Sequence, residues 1–107
     1  MNIPEIDAPE ALEYLEAKSA VFIDVRDAQS FGVARIPGAV RPVDSTIGEF
    51  IADTPKDQKL IVYCYHGNMS RGATAYFLEQ GFTDVASMRG GFEDWRHQYP
   101  IDDSTPA

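Results

Sequence analysis

The stretch from Lys59 to Gly81, KLIVYCYHGNMSRGATAYFLEQG, constrains the fold of this 107-residue chain more than any other part. It begins with a run of apolar, branched and aromatic side chains at 60–63, which is typical of a buried strand. Cys64 ends the run, a short loop follows, and Ser70 is expected to cap a helix over 71–80. The only cysteine of the chain therefore lies between the carboxyl end of a strand and the amino end of a helix.

That position has chemical consequences for the thiol of Cys64. The amides of a tight loop and of a first helical turn have no partners inside the helix, and the helix dipole adds a partial positive charge. If the loop 65–69 curls around the sulfur, those N–H groups point at it and stabilise a thiolate, or a group carried on it. The thiolate is the nucleophilic form of cysteine, so the sequence predicts a nucleophile at Cys64.

Strand and helix patterns alternate along the whole chain. The strand patterns lie at 3–6, 21–25, 39–42, 60–63 and 85–88, and the helix patterns at 8–17, 27–31, 46–52, 71–80 and 92–95. This alternation predicts an α/β fold with a mainly parallel five-stranded sheet and helices on both faces. Ligands bind at the carboxyl ends of the strands in such sheets, and Cys64 follows one of those ends. Asp24 and Arg26 lie on one side of their strand and are expected to form a structural ion pair near the site.

Composition bounds the class of protein and its partners. With 44% hydrophobic residues, the chain is expected to form one domain over 1–107, with a core at about 6–99 and a frayed acidic tail at 100–107. The net charge of −8 argues against nucleic acid as a partner. No apolar run approaches the roughly 20 residues of a membrane span, and MNIPEIDAPE lacks a signal-peptide pattern, so a cytoplasmic protein is expected.

The cysteine and histidine content limits the chemistry further. A single cysteine forms no internal disulfide and no CxxC pair, so any covalent state of Cys64 must be resolved by another molecule. His66 and His97 with this one cysteine give no metal-ligand spacing, so we expect neither a metal nor another cofactor.

Four ordered motifs give the chain a family resemblance. Asp24–Asp27 reads DVRD, Arg35–Ala39 reads RIPGA, Cys64–Asn68 reads CYHGN and Gly90–Trp95 reads GGFEDW. In this order they resemble the rhodanese domain family over about 6–99. The resemblance implies a single rhodanese-like domain and a thiosulfate sulfurtransferase. Cys64 would take the outer sulfur of thiosulfate, hold it as a persulfide and pass it to cyanide or a thiol.

The residues expected to bind substrate are those that surround or follow Cys64: Tyr65, His66, Gly67, Asn68, Met69, Ser70 and Arg71. His66 is expected to offer its backbone N–H rather than act as a base, Gly67 to allow a positive φ, and Asn68 to turn the loop. Tyr65 either walls the site or covers the sheet edge. Arg71 is either a surface charge or attracts an anion. Met69 departs from the small hydroxyl residue that the resemblance leads us to expect, which leaves substrate preference open.

Other functions remain open at this point. A cysteine phosphatase or arsenate reductase also uses a cysteine in an amide cradle, but phosphatases place arginine six positions after it, where this chain has Ser70. A non-catalytic binding module of the same fold is a second alternative, although such modules often lack the cysteine. The third alternative is a persulfide carrier that delivers sulfur to a protein acceptor.

Overall fold

A parallel sheet of four strands organises the protein, with the strand order β1-β4-β3-β2. The computed structural model describes residues 2–105. Its strands are β1 (Glu5–Ile6), β2 (Val21–Asp24), β3 (Leu60–Tyr63) and β4 (Val85–Met88). Its helices are α1 (Ala8–Ala17), α2 (Ala28–Val33), α3 (Ile47–Asp53), α4 (Met69–Glu79) and α5 (Gly91–Trp95). No helix among the described residues is long and apolar enough to cross a membrane.

The two faces of the sheet are covered by different helices. On one face, Ile61 and Tyr63 of β3 belong to a cluster that includes Ala11 of α1 and Trp95 of α5. On the other face, Leu60 and Val62 pack in a cluster with residues of α3 and α4, among them Phe77. All residues of β3 are buried, as expected for a central parallel strand covered on both sides. The predicted α/β layering is therefore confirmed.

The predicted fifth strand is wrong. Val40 makes only an isolated parallel bridge to Ile23, with Val40 N–H donating to Phe22 O and Asp24 N–H to Val40 O. The rest of 39–42 does not extend this pairing, because Ala39 N–H turns back to Ile36 O and Pro42 has no N–H to donate. Within residues 2–105 the sheet therefore has four strands rather than five.

Two local predictions had opposite outcomes. The helix at 8–17 is confirmed, and the side chain of Asp7 accepts a hydrogen bond from Glu10 N–H as its cap. The frayed tail is wrong for residues 100–104, because Asp102 exchanges both backbone hydrogen bonds with Arg35, and Trp95 Nε1 donates to Pro100 O. Residues 106 and 107 of the predicted tail lie outside the described residues.

Candidate active site

The sulfur of Cys64 lies at the carboxyl edge of the sheet, enclosed by the loop that leads into α4. Cys64 directly follows β3 and is 3% exposed. The backbone N–H groups of Gly67 and Ser70 donate to Sγ at 3.2 and 3.3 Å. The loop therefore turns main-chain hydrogens inward at the sulfur, as the strand–loop–helix pattern predicts.

The surroundings of this sulfur favour its charged form. Burial, the largest single influence, raises the pKa of Cys64. Hydrogen bonds from the Ser70 hydroxyl and from the backbone amides of Ser70, Gly67 and His66 act in the opposite direction. Together they outweigh burial, so the pKa of Cys64 lies below its ordinary value. The site therefore holds a nucleophilic thiolate more readily than a free cysteine does.

Helix α4 begins earlier than the sequence indicates, and Ser70 is not its cap. The helix starts at Met69, and Asn68 before it makes no side-chain capping hydrogen bond. Ser70 is the second helical residue, and its N–H, which lacks a partner inside the helix, donates to Cys64 Sγ. The sulfur thus occupies the place of a capping oxygen, and the Ser70 side chain is buried behind the sulfur instead of standing at the helix end.

Helix α5 supports the loop from behind. The N–H groups of Phe92 and Glu93 donate to the carbonyl oxygens of Cys64 and Tyr65 at 2.8 and 2.9 Å. These bonds hold the two carbonyl groups away from the sulfur. Because a peptide's N–H and C=O point in opposite directions, the arrangement leaves the loop's N–H groups free to face inward.

The close packing behind the loop requires Gly91, which the sequence does not predict as a site residue. A Cβ on Gly91, which has φ +60°, would lie 2.5 Å from Tyr65 O and 2.7 Å from Cys64 O. From the sequence, Gly90–Gly91 predicts only a turn into a short helix. Two adjacent glycines ahead of a short helix are a sequence signal for close backbone packing. The sequence does not show that they pack against the end of β3, because that contact depends on the fold. Gly67, with φ +96°, has the positive φ that the sequence predicts.

A buried ion pair lies beside the loop and confirms the expected Asp24–Arg26 contact. Arg26 Nη2 is 2.7 Å from Asp24 Oδ2, and Arg26 also donates to Ala34 O. The guanidinium lies over the Phe92 ring at 4.3 Å and near the Tyr65 ring at 5.4 Å. It therefore connects β2 to both the loop and α5 through charge and aromatic contacts.

The side chains of the loop point mainly to solvent. Tyr65, His66, Asn68 and Met69 are exposed, and Met69 is 70% exposed. The Tyr65 ring lies near the rings of His66 and Phe92, so it lines the rim of the loop. The loop groups that reach the enclosed sulfur are the backbone amides of His66, Gly67 and Ser70 together with the Ser70 hydroxyl.

Arg71 is placed outside the loop. Its Nη1 lies 3.1 Å from Glu5 Oε2, and its side chain remains half-exposed. The cation is thus at the rim of the site, paired with a carboxylate of β1. Among residues 2–105, no group of three or more His, Cys, Asp or Glu side chains could hold a metal ion.

Comparison with known proteins agrees with this fold and loop. A family model described as "Rhodanese-like domain" matches residues 7–98. The chain is 47% identical over 98 residues to the thiosulfate sulfurtransferase GlpE of Pseudomonas aeruginosa PAO1, a match that covers 92% of this chain and 89% of the relative.

Solved structures show the same architecture. A rhodanese-related protein from Thermoplasma volcanium superimposes with a TM-score of 0.75 at 25% identity, covering 94% of this chain and 99% of that one. The rhodanese-like domain of an Anabaena protein gives a TM-score of 0.82 at 24% identity, covering 100% of this chain and 86% of that one.

The parallel sheet, with a cysteine in an amide-lined loop at its carboxyl edge, defines a rhodanese-like α/β domain. The chain belongs to the rhodanese family.

Proposed function

We propose that this protein is a thiosulfate sulfurtransferase that carries sulfur as a persulfide on Cys64. The observation that carries the proposal is the single cysteine whose sulfur receives the amides of Gly67 and Ser70 and has a lowered pKa. The relatives named thiosulfate sulfurtransferase GlpE support the choice of donor.

The first half of the reaction needs a nucleophile and a site for negative charge. The Cys64 thiolate attacks the outer sulfur of thiosulfate, a sulfur–sulfur bond forms, and the old bond breaks with its electron pair on sulfite. Sulfite is stable as an anion, so no acid is required to assist its departure. The total charge is unchanged, because one thiolate and thiosulfate give one persulfide anion and sulfite. Preorganised N–H donors are the resource that the site offers to this chemistry.

The second half returns the enzyme to its starting state. The carbon of cyanide, or the sulfur of a thiol acceptor, attacks the outer sulfur of the persulfide. The sulfur–sulfur bond to Cys64 breaks, and the electron pair stays on Cys64 as the thiolate. The lowered pKa of Cys64 supports this step as well, because a stabilised thiolate is a better leaving group.

The acceptor takes the outer sulfur from the persulfide on Cys64. Cyanide or a small thiol is the acceptor we propose, and a protein acceptor is the alternative. The persulfide would face the exposed rim formed by Tyr65, His66 and Met69, which either kind of acceptor could approach.

The loop geometry favours sulfur transfer over phosphate chemistry. At the sixth position after Cys64, where a cysteine phosphatase has arginine, Ser70 turns its hydroxyl toward the sulfur. The neighbouring Arg71 is held outside the loop by Glu5. Among residues 2–105, no guanidinium is therefore hydrogen-bonded at the sulfur, where one would be needed to bind the equatorial oxygens of a phosphoryl group.

Intact-mass spectrometry tests the proposal directly. Incubation with thiosulfate should add about 32 Da, the mass of one sulfur atom, and cyanide should then remove it. The variant Cys64→Ser should show neither change. Sulfite is the matched control reagent, because it lacks the outer sulfur. A folded protein that gains no mass from thiosulfate would contradict the proposed donor.

A further inference from the structure

Two buried serines form a chain of hydroxyl groups behind the sulfur of Cys64. Ser70 Oγ is 3.5 Å from Cys64 Sγ, and Ser87 Oγ of β4 is 2.7 Å from Ser70 Oγ. Both serines are 0% exposed. The three atoms thus link the nucleophile to the neighbouring strand of the sheet.

Counting protons fixes the direction of this chain when the sulfur is charged. A hydroxyl has one proton to donate and lone pairs to accept with, whereas a thiolate only accepts. Ser70 must therefore give its proton to the sulfur. The short contact between the two serines must then be filled by the proton of Ser87. Because Ser87 donates its proton to Ser70 Oγ, the Ser70 proton remains available for the thiolate.

The Ser87 side chain lies on a face of β4 that also carries an apolar core residue. Val85, two residues earlier on the same face of β4, belongs to the apolar cluster with Val62 and Phe77. Among the described residues, the Ser87 hydroxyl has no hydrogen-bond partner other than Ser70. A hydroxyl buried against apolar side chains is costly unless it is bonded, so this contact is what makes a serine acceptable here.

We propose that Ser87 is a positioning residue, which orients the Ser70 hydroxyl toward Cys64 and thereby stabilises the anionic sulfur. The role of the serine chain toward the persulfide rests on the proposed function, whereas its effect on the free thiolate does not. Ser87 does not touch Cys64 and acts only through Ser70.

The pH dependence of alkylation measures this effect without any sulfur donor. Cys64 is the only cysteine, so the mass gained from iodoacetamide reports its thiolate alone. In Ser87→Ala the midpoint of the rate–pH profile should rise by about 0.5 to 1 pH unit, the effect of weakening one hydrogen bond to a charged group. Ser70→Ala should raise it at least as much, and Ser87→Thr, which keeps the hydroxyl, should restore the wild-type midpoint.

The double variant Ser70→Ala/Ser87→Ala separates this role from a structural one. Because Ser87 acts through Ser70, its removal should cause no further shift once Ser70 is alanine. Thr74→Val is the matched control, since it deletes a buried hydroxyl of α4 that donates to Ser70 O and does not reach the sulfur. It should leave the midpoint unchanged.

If Ser87→Ala folds, the inference is overturned by a wild-type midpoint in that variant or by shifts that add in the double variant. If Ser87→Ala does not fold, the Ser70→Ala and Ser87→Thr profiles decide, and a wild-type midpoint in Ser70→Ala overturns it. A protein that shows the expected alkylation shifts but gains no sulfur from thiosulfate would contradict the proposed function and leave the serine chain supported.

Discussion

The backbone N–H of Phe92 donates to the carbonyl oxygen of Cys64 at 2.8 Å, so the first turn of α5 holds the base of the loop. Such a contact needs close approach of the two backbones, and Gly91 provides the space. The geometry of the loop therefore depends on a segment more than twenty residues away in the chain. Substitutions there should affect the sulfur without touching it.

The substitution Gly91→Ala should damage both stability and sulfur transfer. The added Cβ meets the carbonyl groups of Tyr65 and Cys64 and sits at a positive φ, so we expect a loss of about 1–3 kcal/mol in the free energy of unfolding. Urea unfolding and turnover with thiosulfate measure the two effects. Gly48→Ala is the control, because it adds a Cβ in open space within α3 and should stabilise the helix. Equal behaviour of the two variants would contradict the close approach.

Removing one partner of the buried ion pair should be costly. Asp24→Asn leaves the guanidinium of Arg26 buried without its counter-charge, for which we expect a loss of about 3–5 kcal/mol in stability. Asp84→Asn breaks the more exposed pair with Lys59 and should cost at most about 1 kcal/mol. Urea unfolding of the two variants gives the comparison. A loss in Asp24→Asn no larger than in Asp84→Asn would show that the buried pair contributes little.

The substitution Met69→Ser should change turnover but not stability. The side chain is 70% exposed at the rim of the loop, so the free energy of unfolding should stay within about 0.5 kcal/mol. Steady-state kinetics with thiosulfate should show a changed kcat or KM, because a hydroxyl replaces apolar bulk beside the site. Met88→Ala, in the core, should instead lose about 2–5 kcal/mol. Unfolding of Met69→Ser would show that the side chain has a packing role.

Releasing Arg71 from its carboxylate partner should improve the capture of thiosulfate. The variant Glu5→Gln removes the negative charge that is paired with Arg71, so the Arg71 guanidinium is free to attract an anion. We expect the KM for thiosulfate to fall about two- to five-fold. Arg71→Gln should raise KM by a similar factor. Lys59→Gln is the control, because it removes one positive charge, as Arg71→Gln does, but just before the start of β3 and so at the end of the strand far from Cys64. It should leave the KM for thiosulfate unaltered. An unchanged KM in both Glu5→Gln and Arg71→Gln would reduce Arg71 to a surface charge.

The cap of α2 should make stability depend on acid pH. Hydrogen bonds from the backbone N–H and the hydroxyl of Ser30 lower the pKa of Asp27 in the folded protein. The charged carboxylate therefore adds stability at pH values above the unfolded-state pKa, and this contribution is lost as the pH falls through the lowered folded-state pKa. Thermal unfolding should show a lower Tm for Asp27→Ala at neutral pH.

Asp27→Asn separates the charge from the cap. Asparagine keeps a capping oxygen, so its Tm should lie above that of the alanine variant. The difference in Tm between wild type and Asp27→Asn should shrink as the pH falls through the lowered pKa of Asp27. A difference that does not vary with pH would contradict the role of the charge.

Local chemistry was readable from the sequence because it depends on neighbours in the chain. The apolar run at 60–63, the thiol after it and the glycine of the loop together predict a nucleophile among inward amides. The caps that the structure shows at Asp7 and Asp27 are equally local, since each carboxylate accepts from an amide three residues ahead. For the same reason, the α/β class follows from the alternation of patterns.

Tertiary structure decided what depends on residues distant in the chain. The pairing of 39–42 with β2 stops at one bridge because Ala39 turns back to Ile36 and Pro42 has no N–H. Ser70 donates its N–H to the sulfur because the loop encloses Cys64, and no side chain caps the start of α4. Gly91 and Ser87 contact the site because β4 is the neighbour of β3 in the sheet. This strand order brings the end of β4 and the start of α5 against the loop that follows β3. A sequence records which groups can donate, but folding alone determines which of them meet.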